Sequence, residues 1–313
     1  MANSILTILC PVFNEQTVVP LFFARIVPVL QRLSERYDVH LLFLDNASTD
    51  DTAREIAEIK TAWPATYIVT MSRNVGYQAS IECGLRHAVG DLFVIIDVDC
   101  EDPPEMILDF TKKHQEGYDI VYGERVDRPE PAPLRAARKF FYRLLDRVAD
   151  DDIILDMAEF SLFTTEVKDA LLNENTSFPF IRSAISRVGF SRWGIPYTRH
   201  LRIGGRSHYN IFRMTIFAAG GILAASTLLL RLPIYILPFW LAILFVLGSL
   251  FITTHSPYYI LFAMLVFAGY VGATIAFIAL YVARTYRNGL QRPNAFINHR
   301  KSALQPENKA RSA

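Results

Sequence analysis

The stretch LFVIIDVDCEDPPE, which spans Leu92–Glu105, decides the fold. It opens with an unbroken apolar run, and Asp97, Asp99, Glu101 and Asp102 follow at once. Such a run, bounded by glycine and proline, is typical of a buried parallel strand. The acids would then lie beyond its carboxyl end, which is where open α/β sheets bind their ligands.

The spacing of these acids predicts a metal site. If the strand continues through Asp99, the side chains of Asp97, Asp99 and Glu101 project on one side of it, because side chains alternate along a strand. Oxygen ligands favour Mg²⁺ or Mn²⁺, and such ions usually complete their shell with substrate phosphates. An acidic, solvated loop is the alternative interpretation of the same residues.

The chain before this stretch alternates between two patterns. Apolar runs at residues 5–12, 39–44 and 66–71 read as strands, and the segments 17–37, 51–60 and 78–89 read as helices. Repeated strand and helix units are typical of a doubly wound, mostly parallel sheet. The sequence therefore predicts an α/β domain in which several strands end in polar clusters at one edge.

Composition narrows the class of protein. The chain has 313 residues, of which 51% are hydrophobic and 20% charged, with a net charge of +1. This balance gives no basic excess for a nucleic-acid partner. Three cysteines without metal-ligand spacing favour a reducing compartment. The amino terminus lacks a basic segment and a small-residue cleavage site, so we expect it to stay in the cytosol.

The carboxyl-terminal third predicts a membrane anchor. Residues 232–283 contain no Asp, Glu, Lys or Arg, which leaves room for two spans of about 20 residues each. Residues 284–313 are rich in Arg and Lys and form a basic cytosolic tail by the positive-inside rule. We interpret residues 211–231 as interfacial amphipathic helices, and residues 1–210 as the α/β domain. The prediction is a multi-pass protein of the cell inner (plasma) membrane with both termini cytosolic.

Four segments carry a resemblance to a known family. They are PVFNE (Pro11–Glu15), LDNASTD (Leu44–Asp50), SRNVGYQAS (Ser72–Ser80) and DVDCEDPPE (Asp97–Glu105). In order and spacing they resemble the signature segments of family 2 glycosyltransferases. More narrowly they resemble the polyprenyl-phosphate glycosyltransferases, bacterial relatives of dolichyl-phosphate mannose synthase. The resemblance implies a GT-A catalytic domain that precedes a membrane-bound carboxyl end.

The resemblance also implies a site for a nucleotide-diphosphate sugar. Asp97 and Asp99 match the DxD pair that holds the nucleotide and the metal, with Glu101 as third ligand. The remaining donor-side residues are Pro11, Phe13 and Glu15 in the nucleoside pocket, Asp45 at the base or ribose, and Arg73 at a phosphate. Relatives often have a second Asp where this chain has Asn46.

Further segments suit an acceptor phosphate. Arg125 resembles the arginine of the family's G-x-R segment, and Glu159 takes the place of a catalytic acid, with Ser161 where relatives have Arg. Arg138 lies on a basic helix face that suits a lipid phosphate at the membrane surface, or simply solvent. Arg202, Ser207 and His208 resemble a phosphate-contacting segment, although His208 stands where Lys is usual.

Together these residues predict a metal-dependent, inverting transferase. It would move a hexose, with a UDP-linked donor favoured, to a polyprenyl phosphate such as undecaprenyl phosphate. One alternative is an enzyme that uses GDP-mannose. Another is a catalytically silent, nucleotide-binding membrane scaffold, which the departures at Asn46, Ser161 and His208 favour and the intact Asp97 and Asp99 pair opposes.

Small residues in the second span predict one more partner. Gly269, Gly272 and Ala273 lie close together in the sequence and would let a neighbouring helix approach closely. The neighbour is either the first span or the same helix in a second copy of the chain, so we also expect a homo-oligomer.

Overall fold

The computed structural model describes residues 3–127, 157–173, 179–203 and 226–306. Within these residues the elements in chain order are β1 Ser4–Val12, α1 Val19–Leu33, β2 Tyr37–Asp45, α2 Thr52–Ala62, β3 Thr66–Thr70, α3 Tyr77–His87, β4 Leu92–Ile95, α4 Met106–Gln115, β5 Ile120–Asp127, β6 Met157–Thr164, α5 Thr165–Asn173, α6 Ile181–Arg187, β7 Arg192–Thr198, α7 Leu228–Thr254 and α8 Pro257–Gly289. The predicted alternation of strand and helix is confirmed for the first four strands.

The strands form one sheet in the order β3-β2-β1-β4-β6-β5-β7. Strands β1 to β4 are parallel, with Ile8 opposite both Leu41 and Val94. Strand β6 runs antiparallel to β4 and β5, and β7 is parallel to β5. The mostly parallel sheet is therefore as predicted, and the antiparallel β6 is a feature that the alternating pattern did not indicate.

Helices cover both faces of this sheet, as in a doubly wound fold. Successive residues of a strand point to opposite faces, so Leu41 packs into one hydrophobic cluster and Leu42 into the other. The first cluster includes residues of α1, α2 and α4, and the second includes residues of α3, α5 and α6. Burial on both faces explains why the strands read as continuous apolar runs.

The central strand is shorter than the sequence suggested. Strand β4 ends at Ile95, so it does not continue through Asp99, the condition under which the three acids would project on one side of it. The chain turns beyond Ile95, and Cys100 adopts a positive φ of 54°. The positions of Asp97, Asp99 and Glu101 are therefore set by a loop and not by the alternation of a strand.

Helices α7 and α8 are long and apolar enough to cross a membrane. Helix α7 begins at Leu228, inside the range that we assigned to interfacial helices, and residues 211–225 of that range lie outside the described part. The two helices pack through a stacked pair, Trp240 and Tyr270, whose ring centroids are 4.5 Å apart. A Cβ added at Gly269 or Gly272 would meet nothing within 4 Å, so these glycines do not bring α7 and α8 together.

Residues 293–305, which we call the strap, return from α8 to the sheet. Met71 and Ile68 at β3 form antiparallel bridges with Ile297 and Ala303. Gln305 is buried, and its amide group donates to the hydroxyl oxygen of Thr7 at 3.0 Å. Much of the predicted basic tail thus packs against the sheet, and residues 307–313 lie outside the described part.

Candidate active site

Two cavities adjoin at the carboxyl ends of the parallel strands. The first, the acidic cavity, measures about 370 Å³ and takes its polar lining mainly from the loops after β1, β3 and β4. Its lining includes Pro11, Phe13, Glu15, Asp97, Asp99 and Arg202. The second, the arginine cavity, measures about 580 Å³ and is lined by Arg73, Arg125, Arg182, Arg199, Arg287 and Glu159, among others. Gly76, Tyr77 and Asp97 line both cavities.

Asp97 is the carboxylate between the two cavities. Its Oδ1 accepts a hydrogen bond of 2.7 Å from the hydroxyl of Tyr77. Desolvation, followed by the charges of Asp99 and Asp102, raises the pKa of Asp97 to about 7, although the Tyr77 hydrogen bond opposes the rise. The protein thus concentrates negative charge at this point, and a cation bound there would relieve the repulsion.

The residues present fit a divalent ion held by two carboxylates and by the phosphates of a ligand. Asp97 and Asp99 both line the acidic cavity, whereas Glu101 does not. Glu101 instead pairs with Arg199 at 2.6 Å. In the described part of the chain no three His, Cys, Asp or Glu side chains form a group that could hold a metal. The third ligand predicted at Glu101 therefore has no support from this geometry.

Asp102 binds two arginine side chains that line the arginine cavity. It is buried and accepts hydrogen bonds from the hydroxyl of Tyr197, from Arg125 Nη2 at 3.4 Å and from Arg199 Nε at 3.3 Å. Burial alone would lower the pKa of Arg125, but Asp102 and Tyr197 raise it above its ordinary value. Asp102 therefore holds two guanidinium groups of the arginine cavity in place.

The turn before α3 is shaped by two amides. Asn46 donates from Nδ2 to Asn74 Oδ1 at 3.1 Å, and its own Oδ1 accepts from the backbone of Val75 at 2.8 Å. Gly76 follows with a φ of 88°, a backbone angle that glycine adopts readily because it has no Cβ. A carboxylate at position 46 could accept from Val75 but could not donate to Asn74, which is a physical reason for the departure from Asp.

Glu159 lies in the arginine cavity on β6. Gln78 Nε2 donates to its Oε1 at 3.0 Å, and Arg182 Nε lies 3.5 Å from the same oxygen. Ser161, two residues further on, is buried, and its hydroxyl donates to the Glu159 carbonyl at 3.0 Å. A cation thus stands beside Glu159, but it comes from α6 and not from position 161.

Several predicted residues lie elsewhere than the sequence suggested. Arg73 lines the arginine cavity and not the acidic one. Arg202, expected at an acceptor phosphate, lines the acidic cavity, where Nη2 is 3.4 Å from Glu15 Oε1 and 3.5 Å from Asp99 Oδ2. Asp45 lines neither cavity and accepts a 2.9 Å hydrogen bond from the Ser48 backbone.

Three of the predicted site residues, Arg138, Ser207 and His208, lie outside the described residues. Conversely, the structure places several residues near the site that were not predicted. Sequence reasoning gave no role to Tyr77, Asp102, Arg182, Tyr197, Arg199 and Arg287. Two of these gave a usable signal, because Tyr77 and Asp102 fall inside the quoted signature segments.

Comparisons with known proteins find several similar chains. The family model described as Glycosyl transferase family 2 matches residues 7–185. Among relatives, the uncharacterized glycosyltransferase YkcC of Bacillus subtilis is 31% identical over 296 residues, which cover 92% of this chain and 91% of that protein. The bactoprenol glucosyl transferase of Shigella phage SfV is 30% identical over 307 residues, which cover 95% and 99%. Among solved structures, glucosyl-3-phosphoglycerate synthase from Mycobacterium tuberculosis is similar over 70% of this chain and 76% of that chain, with 16% identity and a TM-score of 0.46.

Proposed function

The chain belongs to glycosyltransferase family 2, and we propose that it transfers one sugar from a nucleotide-diphosphate sugar to a polyprenyl phosphate. Membership of the family makes it a glycosyltransferase. The relative named bactoprenol glucosyl transferase, which matches over almost its whole length, supports a polyprenol-based acceptor and a glucosyl donor. We therefore place UDP-glucose first among the UDP-hexoses.

One observation carries the proposal: Asp97 and Tyr77 line both cavities. A transferase must bring a donor and an acceptor within bonding distance while it keeps their remaining parts in separate pockets. The acidic cavity, with Phe13 and the acids, suits a nucleoside diphosphate bound with a metal ion. The arginine cavity suits a phosphate monoester.

The residues divide the chemistry between them. Asp97 and Asp99 would hold Mg²⁺ or Mn²⁺, and the ion would neutralise negative charge on the departing diphosphate. A phosphate oxygen of the acceptor attacks the anomeric carbon, and the bond from that carbon to the diphosphate breaks, so that its electron pair leaves with the nucleotide. Direct displacement inverts the anomeric centre. The acceptor is already ionised near neutral pH, so Glu159 need not remove a proton and can position Arg182 instead.

Two features support a membrane location. Helices α7 and α8 expose large apolar side chains such as Phe245 and Met264, whereas a core helix of a soluble protein would bury them. The strap joins the end of α8 to the same domain that precedes α7, which is expected if two spans return the chain to its starting side. We propose a multi-pass protein of the cell inner (plasma) membrane with its catalytic domain in the cytosol.

The test is transfer by the purified full chain. Protein in detergent, Mn²⁺ and undecaprenyl phosphate are incubated with radiolabelled UDP-glucose, other UDP-hexoses or GDP-mannose. Label in the organic phase from a UDP-hexose is the expected result, and label from GDP-mannose alone would replace the proposed donor. No transfer from any donor, with nucleotide binding retained, would favour a silent scaffold and overturn the proposal.

A further inference from the structure

One wall of the arginine cavity comes from a membrane helix. Arg287 lies near the end of α8, while Arg73, Arg125, Arg182 and Arg199 belong to the catalytic domain. The family model ends at residue 185 and does not reach this helix. The cavity therefore combines residues of the sheet domain with a residue of α8.

The cations of this cavity differ in how firmly the protein holds them. Asp102 holds Arg125 and Arg199, and Glu159 lies 3.5 Å from Arg182. Arg287 is exposed, and it forms no ion pair with a carboxylate in the described part of the chain. Its charge is thus available to an anion that enters the cavity.

The strap fixes where Arg287 lies. Helix α8 ends at Gly289, and Asn294 then donates from Nδ2 to Glu82 Oε2 on α3 at 2.7 Å. Two residues further on, the carbonyl of Phe296 accepts from the Ser72 backbone at 2.8 Å. The last turn of α8 is therefore tied to the loop before α3, which carries Arg73 into the same cavity.

The length of α8 places Arg287 at headgroup depth. The helix has 33 residues. It is therefore about 50 Å long, which exceeds the roughly 30 Å of a hydrocarbon core. The charge-free run ends before Arg284, and Arg287 lies about 4.5 Å further along the helix axis. The phosphate of a lipid anchored in the bilayer would lie at this level.

We propose that Arg287 binds the phosphate of the acceptor lipid and guides it into the arginine cavity. The inference rests on the proposed function, and it adds that the acceptor site is incomplete without the second membrane helix. Arg73 and Arg182 line the same cavity and would share the charge of the bound phosphate. Arg287 does not line the acidic cavity, where the nucleotide sugar is proposed to bind.

The test compares KM values of variants in nanodiscs. Arg287→Gln should raise the KM for undecaprenyl phosphate by about ten-fold or more, since it loses hydrogen bonds to a charged group. The KM for the nucleotide sugar should stay within about two-fold, because the donor lies elsewhere. Arg287→Lys should recover part of the loss, because it keeps the charge but not the fork of donors.

Arg292→Gln is the matched control. Arg292 lies beyond the end of α8 and lines a neighbouring cavity of about 220 Å³, not the arginine cavity. The KM of the Arg292→Gln variant for undecaprenyl phosphate should equal that of the unmodified protein. An unchanged lipid KM in Arg287→Gln, or an equal rise in the donor KM, would overturn the inference. A rise seen only in nanodiscs that contain phosphatidylglycerol would also overturn it, because Arg287 would then serve the anionic surface in general.

A binding measurement separates this inference from the proposed function. Radiolabelled undecaprenyl phosphate is bound to the protein in phosphatidylcholine nanodiscs without any nucleotide sugar. If no donor supports transfer, the proposed function fails, but weaker retention of lipid by Arg287→Gln than by Arg292→Gln would still uphold the phosphate site. Equal retention by both variants would reject it.

Discussion

The hydroxyl of Tyr77 donates a 2.7 Å hydrogen bond to Asp97, the carboxylate that lines both cavities. The same hydroxyl cannot give up its proton readily, because desolvation and then the charge of Asp97 raise the pKa of Tyr77 well above its ordinary value. Tyr77 is therefore a permanent donor that favours the ionised form of Asp97. It works against the desolvation that raises the pKa of Asp97 to about 7.

Removal of this donor should shift the pH dependence of transfer. Tyr77→Phe loses a hydrogen bond that favours the charged carboxylate, so the pKa of Asp97 should rise further above its ordinary value. The variant should then lose more activity at pH 6.5 than at pH 8.5, since a protonated Asp97 cannot hold a metal. The measurement is kcat/KM against pH, with Tyr118→Phe as control. An equal loss at both pH values would contradict a role through Asp97.

Loss of one acidic ligand should abolish most transfer. Asp99→Asn removes a charge from the acidic cavity and should lower kcat by about a hundred-fold or more, because several kcal/mol of charge stabilisation are lost. Nucleotide binding in the absence of metal should change little. The exposed Asp109, which pairs with Lys112 at 2.8 Å on α4, provides the control Asp109→Asn.

Removal of the metal by a chelator tests whether Asp99 acts through a bound metal ion. Treatment with EDTA should bring the unmodified protein to the activity of Asp99→Asn, and added Mn²⁺ should restore only the unmodified protein. Transfer by Asp99→Asn at the full rate in the presence of chelator would show that neither the metal nor this carboxylate is needed.

Close packing between α3 and β2 gives a prediction for stability. A Cβ at Gly84 would lie 2.4 Å from both terminal methyls of Leu44, so Leu44 must move if Gly84 is replaced. Gly84→Ala should cost about 1–3 kcal/mol, the usual range for an overpacked core. Thermal unfolding of the two proteins in detergent measures this loss in the free energy of unfolding.

Gly269→Ala is the matched variant in α8, where an added Cβ meets nothing within 4 Å. It should leave the melting temperature unchanged or raise it slightly, because alanine is the better helix former. A clear loss of stability at Gly269 would instead indicate that a second copy of the chain packs there, and size-exclusion chromatography would then show a smaller oligomer.

Sequence reasoning named five residues that line the acidic cavity, Pro11, Phe13, Glu15, Asp97 and Asp99, but missed Arg182, Arg199 and Arg287 of the arginine cavity. Apolar runs and the acids that follow them are local signals, so the ends of the parallel strands and the placement of Asp97 and Asp99 in one cavity could be inferred. The strap has no such pattern. Its contacts join residues far apart in the chain, such as Gln305 and Thr7, and its basic residues suggested a solvated tail.

The same limit applies to the arginine cavity. Arg182 and Arg287 enter it from α6 and α8, and nothing in their neighbourhoods indicates a shared partner. The end of β4 could not be predicted either, because alternating acids fit a strand and a loop equally well. Only the turn after Ile95 decides between them.

His40 makes the attachment of the strap dependent on pH. Its Nδ1 lies 2.7 Å from Gln305 Nε2, an amide donor. A neutral ring can accept this hydrogen bond at Nδ1, whereas a protonated ring carries an N–H there, so that two donors would face each other. Desolvation lowers the pKa of His40, although the nearby Asp38 opposes the shift. The unfolded chain therefore takes up this proton first as the pH falls below about 6.5. This contribution to stability is present above that pH and is lost below it, down to the pKa of the folded state.

The melting temperature should fall more steeply from pH 7.5 to 5.5 in the unmodified protein than in His40→Gln. Asp97 acts in the opposite direction but equally in both proteins, so the difference isolates His40. Parallel curves for the two proteins would mean that His40 does not couple the strap to pH.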